Sequence, residues 1–292
     1  MSTGLKIKLF EGGHCVHPGF VVKPGSGLKA RSFPAAVALI EHPEQGFVLF
    51  DTGYHEQFFN VTRRFPERFY AWVTPCKLKH GDCITEQLNV ENIKINSIQH
   101  LVLSHFHADH IAAVSEFKSA SIHCTQQGLD SIQQSGRFNG VRKGYLKQLL
   151  PAEITPQLQI HEDFPLSLAT ILTGNDGVFV PELTLKCRDL FNDQRLYLVA
   201  LPGHAAGQVG LLCRLEHQWV FLLADACWLI DSLAENINQH WIANFLCDDV
   251  NEYRHTLAQL RCCYQHYHDI IEFVPSHCSQ TIDRLKAQGW MQ

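Results

Sequence analysis

The chain has 292 residues, 46% hydrophobic and 18% charged, enough to bury a continuous core as one large domain or two small ones. Its 24 Lys and Arg against 29 Asp and Glu give a formal charge of −5 without a long basic run, so a phosphate backbone would be repelled and nucleic acid is not an expected partner. The start, MSTGLKIKLF, lacks a signal-peptide core, no stretch approaches the roughly 18 apolar residues that span a bilayer, and the eleven cysteines form no C-x-x-C pair; a cytoplasmic protein with reduced thiols is expected.

Residues 5–10 (LKIKLF) open a hairpin-like region, followed by a loop that carries His14 and His17 and by runs at 35–42 and 46–53. Short apolar runs with Val, Ile and Phe between Gly and Pro breaks predict strands. Residues 54–80 are rich in aromatics and Arg without clean periodicity. They read as a partly buried helix with a solvated basic face, or as a cap over a pocket or a dimer contact. A helix is predicted over 83–93, a strand over 100–105, a strand over 121–125 and a helix over 126–134. The less regular stretch 136–195 holds candidate strands at 157–161, 168–172 and 183–187. Strand-like runs follow at 195–204, 208–215 and 218–225, then a helix at 249–268, a strand at 270–275 and a closing helix at 279–289. Two sheets packed face to face with helices outside satisfy that order. The expected fold is α+β, a four-layer αββα sandwich, with residues 1–292 as a single domain.

Chemistry concentrates at strand ends. The run SHFHADH (104–110) follows LVL, and three later strands end at His204, Asp225 and His277. Five imidazoles and two carboxylates are a ligand set for borderline-soft divalent ions, and one ion needs only three or four of them. Seven suits two ions that share a bridging carboxylate. Asp51 reads either as a plain turn residue or as the acceptor of a ligand histidine's spare N–H. His14 and His17 are read as loop residues rather than pocket lining. Cys15, Cys227 and Cys278 are read as buried, inert thiols. The HYH run at 266–268 is read as surface, because positions two apart on a helix do not share a face.

The ordered set His105-x-His107-x-Asp109-His110, His204, Asp225 and His277, with FDTG at 50–53, resembles the metallo-β-lactamase superfamily. Within it, LPGHAAGQVG and ADACW look most like the N-acyl homoserine lactonase branch. The resemblance implies the metallo-β-lactamase fold and two divalent metal ions, zinc by default, with iron, manganese or cobalt also accepted. It assigns His105, His107 and His204 to one metal, Asp109, His110 and His277 to the other, and Asp225 to a bridge. It further implies a hydrolase that cleaves a carboxylic ester, a lactone first of all, by metal-bound hydroxide, with Asp109, Asp225 and Trp228 as the catalytic positions. Thioester hydrolysis of the glyoxalase II kind, phosphodiester hydrolysis and a non-catalytic metal-binding regulatory role are the alternatives. A small-molecule ester or lactone is the expected partner, with no membrane and with a homodimer also considered. The lactonase branch carries a tyrosine three residues after the bridging aspartate; this chain has Trp228, an N–H donor without a phenol. Ala112-Ala113 stand where a small glycine is common in that branch. Trp228 either borders the metal pocket or packs in the core. As a pocket wall it would favour aromatic or bulky acyl groups over simple acyl homoserine lactones.

Overall fold

Strands β1 (Lys6–Pro18), β2 (Ala30–His42), β3 (Gly46–Phe50), β4 (Cys76–Lys77), β5 (Ile98–Val102), β6 (Ser121–Thr125) and β7 (Leu158–His161) make one sheet, in the order β4-β1-β2-β3-β5-β6-β7. Strands β8 (Leu166–Ser167), β9 (Lys186–Asp189), β10 (Leu196–Ala200), β11 (Val209–Arg214), β12 (Trp219–Ala224) and β13 (Ile271–Pro275) make the second, in the order β13-β12-β11-β10-β9-β8. Both sheets are mixed: β3, β5, β6 and β7 run parallel, as do β12 and β13, and the other pairings are antiparallel. This computed structural model describes residues 4–174 and 178–292; positions 1–3 of the chain start read above lie outside them.

Side-chain alternation turns these sheets into four layers. On β2, Ala38 and Ile40 face the second sheet, whereas Val37 and Leu39 join an outer cluster with Phe58, Ile84 and Leu88. On β12, Val220 and Leu222 face inward, while Phe221 and Leu223 pack with Leu257 and Leu260 of the helix Val250–Tyr267. A strand buried on both faces reads as a continuous apolar run, and each face then requires a covering layer. The architecture is therefore the expected αββα sandwich.

Several local expectations change. Strand β1 continues through the region read as a loop, so His14 and His17 lie on a strand; the register shifts between Glu11 and His14, and this bulge bends the strand without ending it. The apolar run at 168–172 is a helix, Leu168–Thr173, and the neighbouring strand falls at β9 rather than 183–187. Short apolar runs carry no decisive period, and packing settles them. The helix read over 83–93 is confined to Ile84–Val90, and β5 ends at Val102, short of the first histidine. Residues 54–80 form two short helices, Glu56–Val61 and Glu67–Val73, followed by β4. In HYH, His266 and His268 are exposed but Tyr267 is buried. No helix among the described residues is long and apolar enough to cross a membrane.

Candidate metal centre

The seven ligand-type residues come from the C-terminal ends of four strands. After β5 the chain leaves the sheet, and a single helical turn, Ala108–Ile111, carries Asp109 and His110. His204, Asp225 and His277 follow β10, β12 and β13. At the end of β12 the register against β13 shifts between Leu222 and Ala224, and Ala224 takes φ 48°. That irregularity re-aims the next residue, Asp225, away from the strand direction.

All seven are buried and gather into two groups, His105, His107, His204 and Asp225, and Asp109, His110 and His277, with the ligand atoms of each group within 4.8 Å of one another. Asp225 stands between the groups: its Oδ2 lies 3.2 Å from His204 Nε2 and 3.1 Å from His277 Nε2, and its Oδ1 3.3 Å from His110 Nε2. His107 Nδ1 and His204 Nε2 face each other at 3.0 Å. His105 Nε2, His110 Nε2 and Asp225 Oδ1 are buried without a hydrogen-bond partner. Buried polar atoms are almost always satisfied, so a cluster of converging polar atoms left without partners fits a bound cation. The donor set, imidazole nitrogen and carboxylate oxygen, fits borderline-soft divalent ions.

The outer nitrogens are held by a shared scaffold. His110 Nδ1–H donates to Asp51 Oδ2 at 2.7 Å, and His277 Nδ1–H donates to the Pro34 carbonyl at 2.7 Å. Ser104 Oγ–H donates to Asp51 Oδ2 at 2.7 Å and lies 3.0 Å from His105 Nδ1, placed to accept its proton. Asp51 thus orients one histidine in each group, His110 directly and His105 through Ser104. Ser104 opens the SHFHADH run, yet its role was not legible there, because its partner is 53 positions away. Asp51 itself takes φ 60° and Gly53 takes φ 66°. A Cβ at Gly53 would fall 2.6 Å from the Gly12 Cα, so only glycine lets this turn press against β1.

Charge in the site is polarised. Burial opposes a charge on His110, but Asp51, Asp109 and Asp225 outweigh it and lift this imidazole well above its ordinary range. Burial likewise opposes charge on His277 and His204; Asp225 raises the first, and its hydrogen bond together with the Cys247 thiol raises the second to about 9. His105 and His107 are driven well below the ordinary range, first by burial and then by neighbouring imidazoles. Burial works against the charged form of Asp225, yet His277 and His110 hold it well below the usual carboxylate range. The carboxylates favour positive charge in the centre, the charge that a bound cation would supply.

His107, Asp109, His204, Asp225 and His277 border a cavity of about 90 Å³ whose other walls include Cys15, His17, Phe33, Tyr54, Tyr70 and Trp228. His17, read as a loop residue, is therefore a pocket residue; His14 instead lies 3.5 Å from Glu11. Trp228 borders the cavity, and its indole N–H donates to Asp225 Oδ2 at 3.1 Å. Its donor is engaged by the carboxylate rather than left for a substrate. Tyr54 and Tyr70, from the segment 54–80, were not singled out in the sequence; aromatic density there was the one signal. Cys15, Cys227 and Cys278 are buried, and burial raises the Cys15 and Cys227 thiols.

Fold and site together define a metallo-β-lactamase-type architecture with two His/Asp groups at its strand ends. Residues 31–125 match the family model of the metallo-beta-lactamase superfamily. Among solved structures, the chain is similar to an N-acyl homoserine lactone hydrolase with N-hexanoyl-L-homoserine bound at its catalytic metal centre, at 18% identity over 97% of each chain and a TM-score of 0.71. It is similar to B. thuringiensis AiiA, in a variant with N-decanoyl-L-homoserine at the active site, at 18% identity over 97% of each chain and a TM-score of 0.70. A probable metal-dependent hydrolase from Staphylococcus aureus aligns at 13% identity, over 95% of this chain and 91% of that one, with a TM-score of 0.67. By sequence, no curated protein matches.

Proposed function

We propose that this protein is a dinuclear metal-dependent hydrolase of carboxylic esters, with a lactone or ester bearing an apolar acyl or aromatic part as substrate. His105, His107 and His204 would hold one ion, Asp109, His110 and His277 the other, and Asp225 would reach both. When bound, two divalent ions acidify water to supply a nucleophile near neutral pH and polarise a carbonyl. The chain's own part is orientation: Asp51, Ser104 and the Pro34 carbonyl hold the outer imidazole nitrogens so that the inner ones face the site.

The observation that carries the reading is the cavity's lining. Beside the ligands stand Val21, Val22, Phe33, Tyr54, Tyr70 and Trp228, and the described lining residues include no Lys or Arg. With the two ions already supplying positive charge, an apolar lining without a cationic side chain favours a neutral ester over a phosphodiester, whose remaining charged oxygen would lie against apolar walls. The cavity itself holds little more than a reacting group, but Tyr70, Thr74 and Leu246 also border a groove of about 500 Å³ lined mainly by apolar side chains, Phe65, Phe69, Phe138 and Phe245 among them, with Arg142 as its one cationic side chain among the described residues. That groove supports an apolar acyl or aromatic portion, with simple short-chain homoserine lactones as poorer substrates. A thioester remains the second reading, since its carbonyl places the same demands on the lining.

The test is a screen of metal-replete protein against aryl esters, aromatic lactones, acyl homoserine lactones, thioesters and phosphodiesters, with and without chelator. Chelator-sensitive ester or lactone hydrolysis that returns on adding a divalent metal is expected, together with resistance to serine- and cysteine-directed covalent inhibitors. Phosphodiester turnover exceeding ester turnover would refute the reading.

A further inference from the structure

We infer that the Tyr54 hydroxyl is the substrate-facing hydrogen-bond donor of this cavity, donating to the carbonyl oxygen of the bound ester. The inference rests on the ester-hydrolase reading above and adds the residue that would contact the substrate. Tyr54 is 1% exposed, and its hydroxyl is buried without a hydrogen-bonding oxygen or nitrogen. It meets the Cys15 thiol, a weak partner. Two other buried tyrosines are satisfied: Tyr253 donates to Gln239 and Tyr267 to the Val178 carbonyl. An unsatisfied buried hydroxyl is a cost in the free protein, and such groups are retained where a ligand completes them.

Position agrees. Tyr54 lines the cavity beside Asp109 and His277, and Asp109 is the principal charge acting on its hydroxyl. The same turn that carries Asp51 delivers it: Tyr54 N–H donates to the Gly12 carbonyl at 2.7 Å, and the ring packs edge-on against Phe58 with centroids 5.3 Å apart. The backbone bond and the ring contact thus set the position of the phenol before substrate arrives, which is what a donor to a developing oxyanion requires. The alternative donor on the cavity wall, the Trp228 indole, is already held by Asp225.

Tyr54→Phe removes the hydroxyl and keeps the ring. The metal-replete full chain is assayed for kcat and KM on phenyl acetate and dihydrocoumarin, for metal content, for thermal midpoint without substrate, and for phenylacetate binding by calorimetry. Expected are a fall in kcat/KM of about 100-fold carried mainly by kcat, weaker phenylacetate binding, unchanged metal content, and a midpoint equal to or above wild type. Tyr267→Phe, which removes a buried hydroxyl that lines neither the cavity nor the groove, should change kcat/KM by no more than a few-fold. A Tyr54→Phe variant with wild-type turnover, or one that loses activity together with thermal midpoint and metal, overturns the inference. If wild type hydrolyses neither ester, the ester-hydrolase reading falls, and phenylacetate decides this one. Tighter binding to wild type than to Tyr54→Phe upholds the donor; equal affinity or no binding overturns it.

Discussion

Asp51→Asn isolates the scaffold beneath the metal centre. The Asp51 carboxylate accepts the Ser104 N–H at 2.8 Å on Oδ1, and the Ser104 O–H and His110 Nδ1–H, each at 2.7 Å, on Oδ2. Asparagine has the same outline, but one of its two ends is an NH2 donor. Placed at Oδ1 that end meets the Ser104 N–H; placed at Oδ2 it meets His110 Nδ1–H. Either way a donor is buried against a donor, at about 1–3 kcal/mol, and the remaining bonds lose the charge that strengthened them. A total of about 3 kcal/mol follows. With an unfolding entropy of about 2.1 cal/mol/K per residue, or about 0.6 kcal/mol/K for this chain, the metal-free midpoint should drop by about 5 °C. Metal retention should suffer more visibly. If His110 yields its Nδ1 proton to escape the clash, the proton moves to Nε2, the nitrogen that faces the site. His105 loses its support through Ser104 at the same time, so both metals should bind about 10–100-fold more weakly. Calorimetry of metal-free protein and chelator-competition titration read the two effects. A variant that keeps wild-type midpoint and wild-type affinity for both ions would refute the scaffold, and loss confined to one ion would refute the shared role of Asp51.

Elemental analysis of metal-replete protein should give two ions per chain; Asp225→Ala should weaken both, whereas His277→Ala should empty mainly one, because Asp225 lies within reach of both groups. Trp228→Phe frees Asp225 Oδ2 from its indole partner and should loosen metal about tenfold in a chelator titration, while an effect on kcat alone would return Trp228 to substrate contact. Glu67 is depressed from its usual 4.5 to about 2, chiefly by its hydrogen-bonded Arg137. A depressed carboxylate stabilises above its unfolded pKa and loses that contribution as pH falls through the folded one. Glu67→Gln should therefore lower the midpoint of metal-free protein at pH 7, and the gap should close as pH falls from about 4.5 toward about 2; a gap independent of pH would show that the ion pair is not its source.

The layers were legible in the chain because burial on both faces of a strand leaves an unbroken apolar run, as in AAVALI and VFLLA. The ligand cluster at 105–110 was legible because its members are neighbours in sequence. What spacing could not supply was direction. Whether β1 ran through His14 and His17 depended on a bulge that two glycines and the pairing with β2 make tolerable. Whether 168–172 was strand or helix depended on which surface it packed against, since five apolar-rich residues satisfy either period. The orienting partners, Asp51 with Ser104 and Pro34 with His277, are 53 and 243 positions apart, and only sheet order brings them within bonding distance. Trp228 and Tyr54 show the same division. Composition places an indole and a phenol near the motifs, but which donor is held by a carboxylate and which is left without a partner is a property of packed side chains, set by contacts between strands that the local sequence does not encode.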